Sequence, residues 1–310
     1  MVDKLKIMDW LVHGGHQYEF FKTNHNFVCS LPDGSAPDSK SLGRPINKNV
    51  SYVDDNKAKY KKYNIFMVRG GVNPGRYNRF RINKIRKVPG IAVMQTYLPY
   101  EVPGWVRCIV WNSKIVMDRY HRNFPGKKHF YIPHGFDPNE FCFLNLERNN
   151  RVLSAASLFK QRSKVLGFNE WRWVSRRAKC CDLIGRGNDG LSESIGCFTL
   201  NKLVRTYNEY SVFLNTTTNS AMPRVRAESL MCGTPLVTTN NFGINRYLVN
   251  EESCLFADTK EEMLSAVKRI VDSEDLQQQL SLSGRAIAVK YFHIDDYISK
   301  WNHVFEQALL

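Results

Sequence analysis

No stretch of this chain stays apolar for the roughly 18–20 residues that a membrane span requires. The first ten residues also lack the extended apolar core of a secretory leader. Eight cysteines are present, but none is spaced Cys-x-x-Cys, so neither a zinc site nor a disulfide framework is suggested. Several sit inside apolar runs and read as reduced core residues. The expectation is a cytoplasmic protein, peripheral to a membrane at most. No Walker sequence and no Gly-x-Ser-x-Gly elbow occurs, which leaves out P-loop phosphate binding and the hydrolase nucleophile turn. Acid is also scarce. Lys and Arg number 44 against 29 Asp and Glu, a net charge of +15. That excess points to an anionic partner: nucleic acid, an acidic lipid surface or a phosphorylated substrate.

What is present is ample core material. With 310 residues and 43% hydrophobic content, the chain can build two domains of ordinary size. Buried strands are expected at 6–11, 27–31, 50–53, 65–68, 91–94 and 107–111, separated by helical or polar segments. His13-Gly14-Gly15-His16 reads as a tight loop after the first strand, and 32–49 as a Pro- and Gly-rich loop. After a polar stretch at 145–150 the pattern restarts, with strands at 152–156, 182–185, 211–214, 236–238 and 254–256. Thr259 and Glu262 have the spacing of a capping box. In the last helix Tyr297, Trp301, Val304, Phe305 and Ala308 form a broad apolar stripe. Strands alternating with helices in two halves imply an α/β protein with parallel sheets.

The most informative segment runs from Ser211 to Val237. Val212–Leu214 is a short apolar strand and Asn215–Ser220 a polar loop beyond its carboxyl end. Pro223 suits the first turn of the following helix, Gly233 ends that helix, and Leu236 and Val237 begin the next strand. In open α/β sheets such loops bind ligands, and a helix start with free N–H groups suits a phosphate. Glu228 sits among apolar neighbours on that helix.

This layout, with Glu228 followed by Cys232-Gly233-Thr234-Pro235, resembles the donor segment of GT-B glycosyltransferases, most closely family 4. The resemblance implies two Rossmann-like parallel-sheet domains facing a cleft: residues 1–136 on the acceptor side and 137–310 binding a nucleotide sugar. It implies that Glu228 holds the ribose and that Arg162, matching the family arginine after the first strand of the second half, stabilises the leaving diphosphate. The family lysine that follows is Leu166 here, so Lys160, Lys164 or Arg224 takes its place. The family's first glutamate is Ser220, which leaves the backbone of Ala221 and Met222 to approach the sugar or phosphate. Gly185 and Gly187, in Gly185-Arg186-Gly187-Asn188, stand where a turn lines the nucleotide. Gly14 and Gly15 match the Gly-rich loop that passes the diphosphate, with His13 or His16 placed to orient the acceptor hydroxyl. Many relatives carry a further histidine where this chain has Gln95. Trp111-Asn112-Ser113 and His134 resemble end-of-domain signatures.

The implied activity is transfer of a sugar from a nucleoside diphosphate sugar to an acceptor hydroxyl, with retained configuration. No Asp-x-Asp occurs, so neither a metal nor a resident cofactor is expected. Residues 69–87 carry Arg69, Arg76, Arg79, Arg81, Lys84, Arg86 and Lys87 with no acid, and Tyr77 and Phe80 among them. Lys57, Lys59, Lys61 and Lys62, with Tyr60 and Tyr63, form a second cluster. Such surfaces hold phosphates and stack bases or dock on anionic headgroups. The acceptor is therefore a membrane-associated glycan or lipid, or a nucleic acid carrying a hydroxylated base that must be extruded. The competing class is a GT-B protein that binds nucleotide sugars without catalysis, which Ser220 and Leu166 favour.

Overall fold

The structure, a computed structural model, describes residues 4–31, 37–38, 42–58, 62–70, 72 and 88–310. It divides into two compact units, Met1–Gly135 with Asp295–Leu310, and Phe136–Ile294.

The first unit contains strands β1 (Lys6–Trp10), β2 (Asn26–Leu31), β3 (Val50–Asp54), β4 (Ile65–Arg69), β5 (Gly90–Met94), β6 (Val106–Trp111) and β7 (Lys128–Tyr131). Its helices are α1 (Gly14–Phe20), α2 (Asp55–Ala58) and α3 (Lys114–Tyr120). The strands form one sheet in the order β3-β2-β1-β4-β5-β6-β7, parallel throughout. β4 and β5 are buried along their whole length, as expected of parallel strands covered on both faces. Ser113 caps α3 by accepting from the Val116 N–H.

The second unit contains β8 (Val152–Ala155), β9 (Cys181–Ile184), β10 (Ser194–Gly196), β11 (Val212–Asn215), β12 (Leu236–Thr238) and β13 (Leu255–Phe256). Its helices are α4 (Ser163–Leu166), α5 (Phe168–Ala178), α6 (Leu200–Glu209), α7 (Arg224–Met231), α8 (Lys260–Val271) and α9 (Glu274–Tyr291). A last helix, α10 (Ile294–Leu309), starts at the unit boundary. The sheet order is β10-β9-β8-β11-β12-β13, again parallel. Counted within the unit this is 3-2-1-4-5-6, the doubly wound order in which the crevice opens between the first and fourth strands. The core packs Val152, Leu183, Val212, Leu214 and Val237 from the sheet against Trp171 and Val174 of α5 and Met263, Val267 and Ile270 of α8. The Trp171 indole donates to Ser154 Oγ, which in turn donates to the Leu214 carbonyl, so the one polar edge of that ring is satisfied. The Thr259–Glu262 capping box forms as its spacing implies.

The structure departs from the sequence expectation in three places. β7 and β10 were not foreseen. They are edge strands with mixed burial and carry no apolar run to announce them. Residues 13–16 are not a loop, because α1 starts at Gly14. Finally, Asp295–Leu310 belongs to the first unit, whereas the sequence placed the second domain at 137–310. Trp301 meets Phe20 edge-on at 4.6 Å, and Phe305 lies 6.0 Å from the same ring. The apolar stripe on α10 thus completes the first core.

Candidate functional site

In the second unit the crevice position lies beyond the carboxyl ends of β8 and β11. The loop after β8 is tied to the loop after β9 by one side chain. Asn188 donates to the carbonyls of Ala156 (2.7 Å) and Gly185 (3.0 Å) and accepts from the Phe159 N–H (3.0 Å). The Leu158 N–H donates to the Arg186 carbonyl at 2.7 Å, and Arg162 N–H to the Leu158 carbonyl at 2.9 Å. Gly185 and Gly187 are required by this packing. Both have positive φ, 137° and 68°, and a Cβ would collide with the Ala156 carbonyl or the Leu158 side chain. The turn that the sequence assigned to the nucleotide is therefore first a loop-to-loop joint.

The loop after β11 closes on α4. Thr216 Oγ1 donates to the Leu166 carbonyl (2.9 Å), and the N–H groups of Thr218 and Asn219 to the Val165 carbonyl (3.0 Å each). Thr218 Oγ1 (3.1 Å) and Asn219 Nδ2 (3.2 Å) reach the Lys164 carbonyl. The orphan carbonyls of this short helix are thereby satisfied, and Lys164 is held beside the segment leading to Ser220. Gly167, at φ 72°, has no room for a Cβ against the Thr216 carbonyl. Lys160, Arg162 and Arg186 stand exposed on these joined loops, and Lys164 stands exposed on α4. Ser220 and Met222 are half-buried and Ala221 is buried. Pro223 is the N-cap of α7, with Arg224 as its first helical residue.

Two arginines differ sharply within α7. Arg224 Nη2 lies 3.2 Å from Glu228 Oε1, and its guanidinium sits 4.7 Å from the centre of the Phe136 ring. Glu228 is buried, and the Tyr207 hydroxyl donates to its Oε2 at 3.4 Å. Glu228 and Arg224, assigned separately to ribose and phosphate, are thus one ion pair. Arg226 is also buried, but its partners are neutral. Nε donates to Asn215 Oδ1 (2.8 Å), and Nη2 to Thr239 Oγ1 (2.9 Å), Asn241 Oδ1 (2.9 Å) and, more weakly, the Thr217 carbonyl (3.4 Å). Burial lowers its pKa to about 9.

The first unit has its own polar cluster where β1 and β4 end. Arg69 donates bidentately to Asp9 at 2.6 and 2.7 Å, both side chains buried. Burial alone would lower the Arg69 pKa, but Asp9 outweighs it and the pKa stays above the ordinary value. Gln17 donates to Asp9 Oδ2 (2.9 Å) and accepts from the N–H groups of Val12 (2.7 Å) and His13 (2.9 Å). This fixes the turn after β1. His13 is the exposed N-cap of α1, its Nδ1 accepting from the His16 N–H at 3.2 Å. Gly14 packs tightly on Leu42, and Gly14 and Gly15 form the first positions of α1. His16 is buried, its ring 5.4 Å from that of His134. Asn112 Oδ1 is buried without a hydrogen-bond partner among the described residues.

Residues 151–301 match the family described as Glycosyl transferase-like. Solved structures resemble the chain over nearly its whole length. Sucrose-phosphate synthase from Thermosynechococcus elongatus has a TM-score of 0.73 at 13% identity, covering 98% of this chain and 99% of that one. Anabaena HepE in complex with UDP-glucose has a TM-score of 0.76 at 12% identity, covering 98% and 100%. A glycosyltransferase from Rickettsia africae has 0.72 at 12% identity, covering 99% of each. No curated protein matches by sequence. The chain has the GT-B fold.

In this chain the residues expected on the donor side, Arg162, Lys164, Gly185, Gly187, Ser220, Ala221, Met222, Arg224 and Glu228, occupy loops or helix turns at the carboxyl edge of the second sheet. His13, Gly14 and Gly15 occupy the corresponding edge of the first. Arg69, expected on an exposed basic face, is instead buried on Asp9. Arg76, Arg79, Arg81, Lys84, Arg86, Lys87, Lys59, Lys61, Tyr60, Tyr77 and Phe80 lie outside the described residues. Sequence reasoning missed Asp9, Asn188 and Arg226. A charged residue inside a buried run, as in Ile7-Met8-Asp9-Trp10, was the available signal for the first. Among the described residues no group of three His, Cys, Asp or Glu is arranged to hold a metal, and no helix is long and apolar enough to cross a membrane.

Proposed function

We propose that this protein is a glycosyltransferase that moves a sugar from a nucleoside diphosphate sugar to an acceptor hydroxyl, without a metal and with retained configuration. The observation that carries the reading is the set of exposed cations Lys160, Arg162, Lys164 and Arg186 on α4 and the loops hydrogen-bonded together at the switch point of the second sheet. Departure of a nucleoside diphosphate builds negative charge, which such cations stabilise. Glu228, an acceptor-only carboxylate when ionised, holds the ribose while Arg224 and Tyr207 fix its rotamer. Attack comes from the face of the leaving diphosphate, whose oxygen takes the acceptor proton. His13 uses Nδ1 as a helix-cap acceptor, so the neutral ring carries its proton on Nε2. It orients the acceptor as a hydrogen-bond donor rather than as a base.

The solved HepE complexes hold UDP-glucose or UDP, which makes UDP-sugars the first donors to try. The excess of basic residues at 57–87 supports an acceptor on an anionic lipid surface or a nucleic acid. Vesicle flotation against duplex binding with a steep salt slope separates the two. A thermal-shift series of nucleotide sugars, followed by NMR of the product anomer, tests the whole reading. A raised melting temperature with one donor and an unchanged anomeric configuration are expected. A protein that neither binds nor hydrolyses any nucleotide sugar would overturn the reading, and binding without turnover would leave a non-catalytic nucleotide-sugar-binding protein.

A further inference from the structure

Arg226 takes no part in the transfer described so far. It is the third residue of α7, where a helical side chain runs back toward the helix start. Its guanidinium ties Asn215, at the end of β11, to Thr239 and Asn241, which follow β12. Around it the segment is closed on itself. Thr239 Oγ1 and Asn241 Nδ2 both donate to the Thr217 carbonyl at 2.6 Å, and Asn215 Nδ2 donates to Thr217 Oγ1 at 3.2 Å. The same Thr217–Asn219 segment caps α4 and holds Lys164 in place.

A buried cation without a counter-charge is costly. At the matching edge of the first sheet, Arg69 has Asp9. One helical turn along α7, Arg224 and Glu228 neutralise each other. Every hydrogen-bond partner of Arg226 among the described residues is neutral. The acid that does favour its charged form, Asp258, is exposed and accepts from the Asn240 N–H instead.

We propose that the missing counter-charge arrives with the donor: Arg226 is a positioning residue that holds the 215–219 segment and adds its buried charge to binding of the nucleoside diphosphate. This rests on the donor class proposed above. It predicts a dependence on ligand charge that a purely structural arginine does not produce.

The test is calorimetric binding of uridine, UMP and UDP, with GDP and ADP as alternative bases, to the wild type, Arg226→Gln, Arg226→Lys and Asn215→Asp. Arg226→Gln should lose about tenfold in UDP affinity, less in UMP affinity and almost none for the nucleoside, in line with the coupling of close charge pairs. Arg226→Lys, which keeps the charge but not the four-way hydrogen bonding, should retain most of the diphosphate increment. Asn215→Asp supplies a counter-charge from within, while the Thr217 hydroxyl can turn to donate to it. This variant should melt at or above the wild-type temperature yet bind UDP about tenfold more weakly, and it remains informative if Arg226→Gln does not fold. Equal losses across nucleoside, monophosphate and diphosphate, or UDP binding by Asn215→Asp as tight as wild type, would overturn the proposal while leaving the donor reading intact. A wild type that binds no nucleoside diphosphate would remove the donor reading itself, and this proposal with it.

Discussion

Replacement of Glu228 by alanine is expected to weaken the fold as well as the donor site. The Glu228 side chain is 4% exposed and that of Arg224 is 9% exposed, so deletion of the carboxylate takes its counter-charge from a nearly buried guanidinium that also lies against the Phe136 ring. Breaking a fully buried pair by removing one partner costs about 3–5 kcal/mol. Here the contact is a single 3.2 Å approach across one helical turn, and the Tyr207 bond is long at 3.4 Å. The expected loss therefore lies at or below the lower limit, about 2–3 kcal/mol. At about 2–4 °C per kcal/mol for a unit of this size, the transition should fall by about 4–12 °C.

Glu228→Gln separates stability from binding. The amide keeps the volume and still accepts from Arg224 or Tyr207, so its cost should be about 1–2 kcal/mol. Both variants lose the charged acceptor offered to a ribose hydroxyl, and both should bind UDP about tenfold more weakly at a temperature where each is folded. Urea unfolding reads the first effect and titration calorimetry the second. An alanine variant with the wild-type urea midpoint would show that the Arg224–Glu228 pair contributes nothing. Unchanged UDP affinity in both variants would remove Glu228 from the donor site, whatever its effect on the fold.

Two further outcomes follow from the same unit. Gly167→Ala must place a side chain at φ 72° against the Thr216 carbonyl, at about 1–2 kcal/mol for the left-handed backbone and about 1–3 kcal/mol for overpacking. It should lower the urea midpoint and loosen the 216–219 segment, and wild-type unfolding would show that the two loops do not pack this way. Cys180 is half-buried, and its pKa is lowered to about 7 by the hydrogen bond with Cys181 and by the charge of Arg151. Iodoacetamide should thus label it slowly below pH 7 and fast above, because only the thiolate reacts. Cys254, raised to about 12 by burial, should resist until the protein unfolds, and a Cys180 profile with its midpoint near that of an ordinary thiol would refute the assignment.

Most of the parallel strands were legible because a strand covered on both faces must be apolar along its length. Val212–Leu214 and Ile65–Val68 are such runs. The helix start after β11 was legible from Pro223, although the proline proved to be the cap rather than the first helical residue. What the sequence did not announce were contacts set by tertiary closure. The return of α10 to the first unit depends on Trp301 meeting Phe20, residues far apart in the chain. Asn188 looked like one more polar turn residue, yet it bonds three backbone groups on two loops. Gly185 and Gly187 were read as a turn lining the nucleotide, and their lack of a side chain also admits the close approach of Ala156 and Leu158. His13 was read as the orienting histidine, and its ring nitrogen is in fact committed to the α1 cap, which sets its tautomer and so narrows its role.

The two departures from the family pattern act in opposite electrostatic directions, and the neighbouring cations tip the balance toward positive. Ser220 removes an acid from the approach to α7. Leu166 removes a cation, but Lys160, Arg162, Lys164 and Arg186 stand on α4 and the loops around it. Glu228 cannot offset that excess, because Arg224 already neutralises it. Arg226 adds a further charge beneath the loop with no acid in hydrogen-bond contact. A segment arranged this way gains little from a neutral ligand and most from one carrying several negative charges, so the diphosphate rather than the sugar should dominate donor affinity. Discrimination between donor sugars should accordingly be weak, and discrimination between mono- and diphosphates strong.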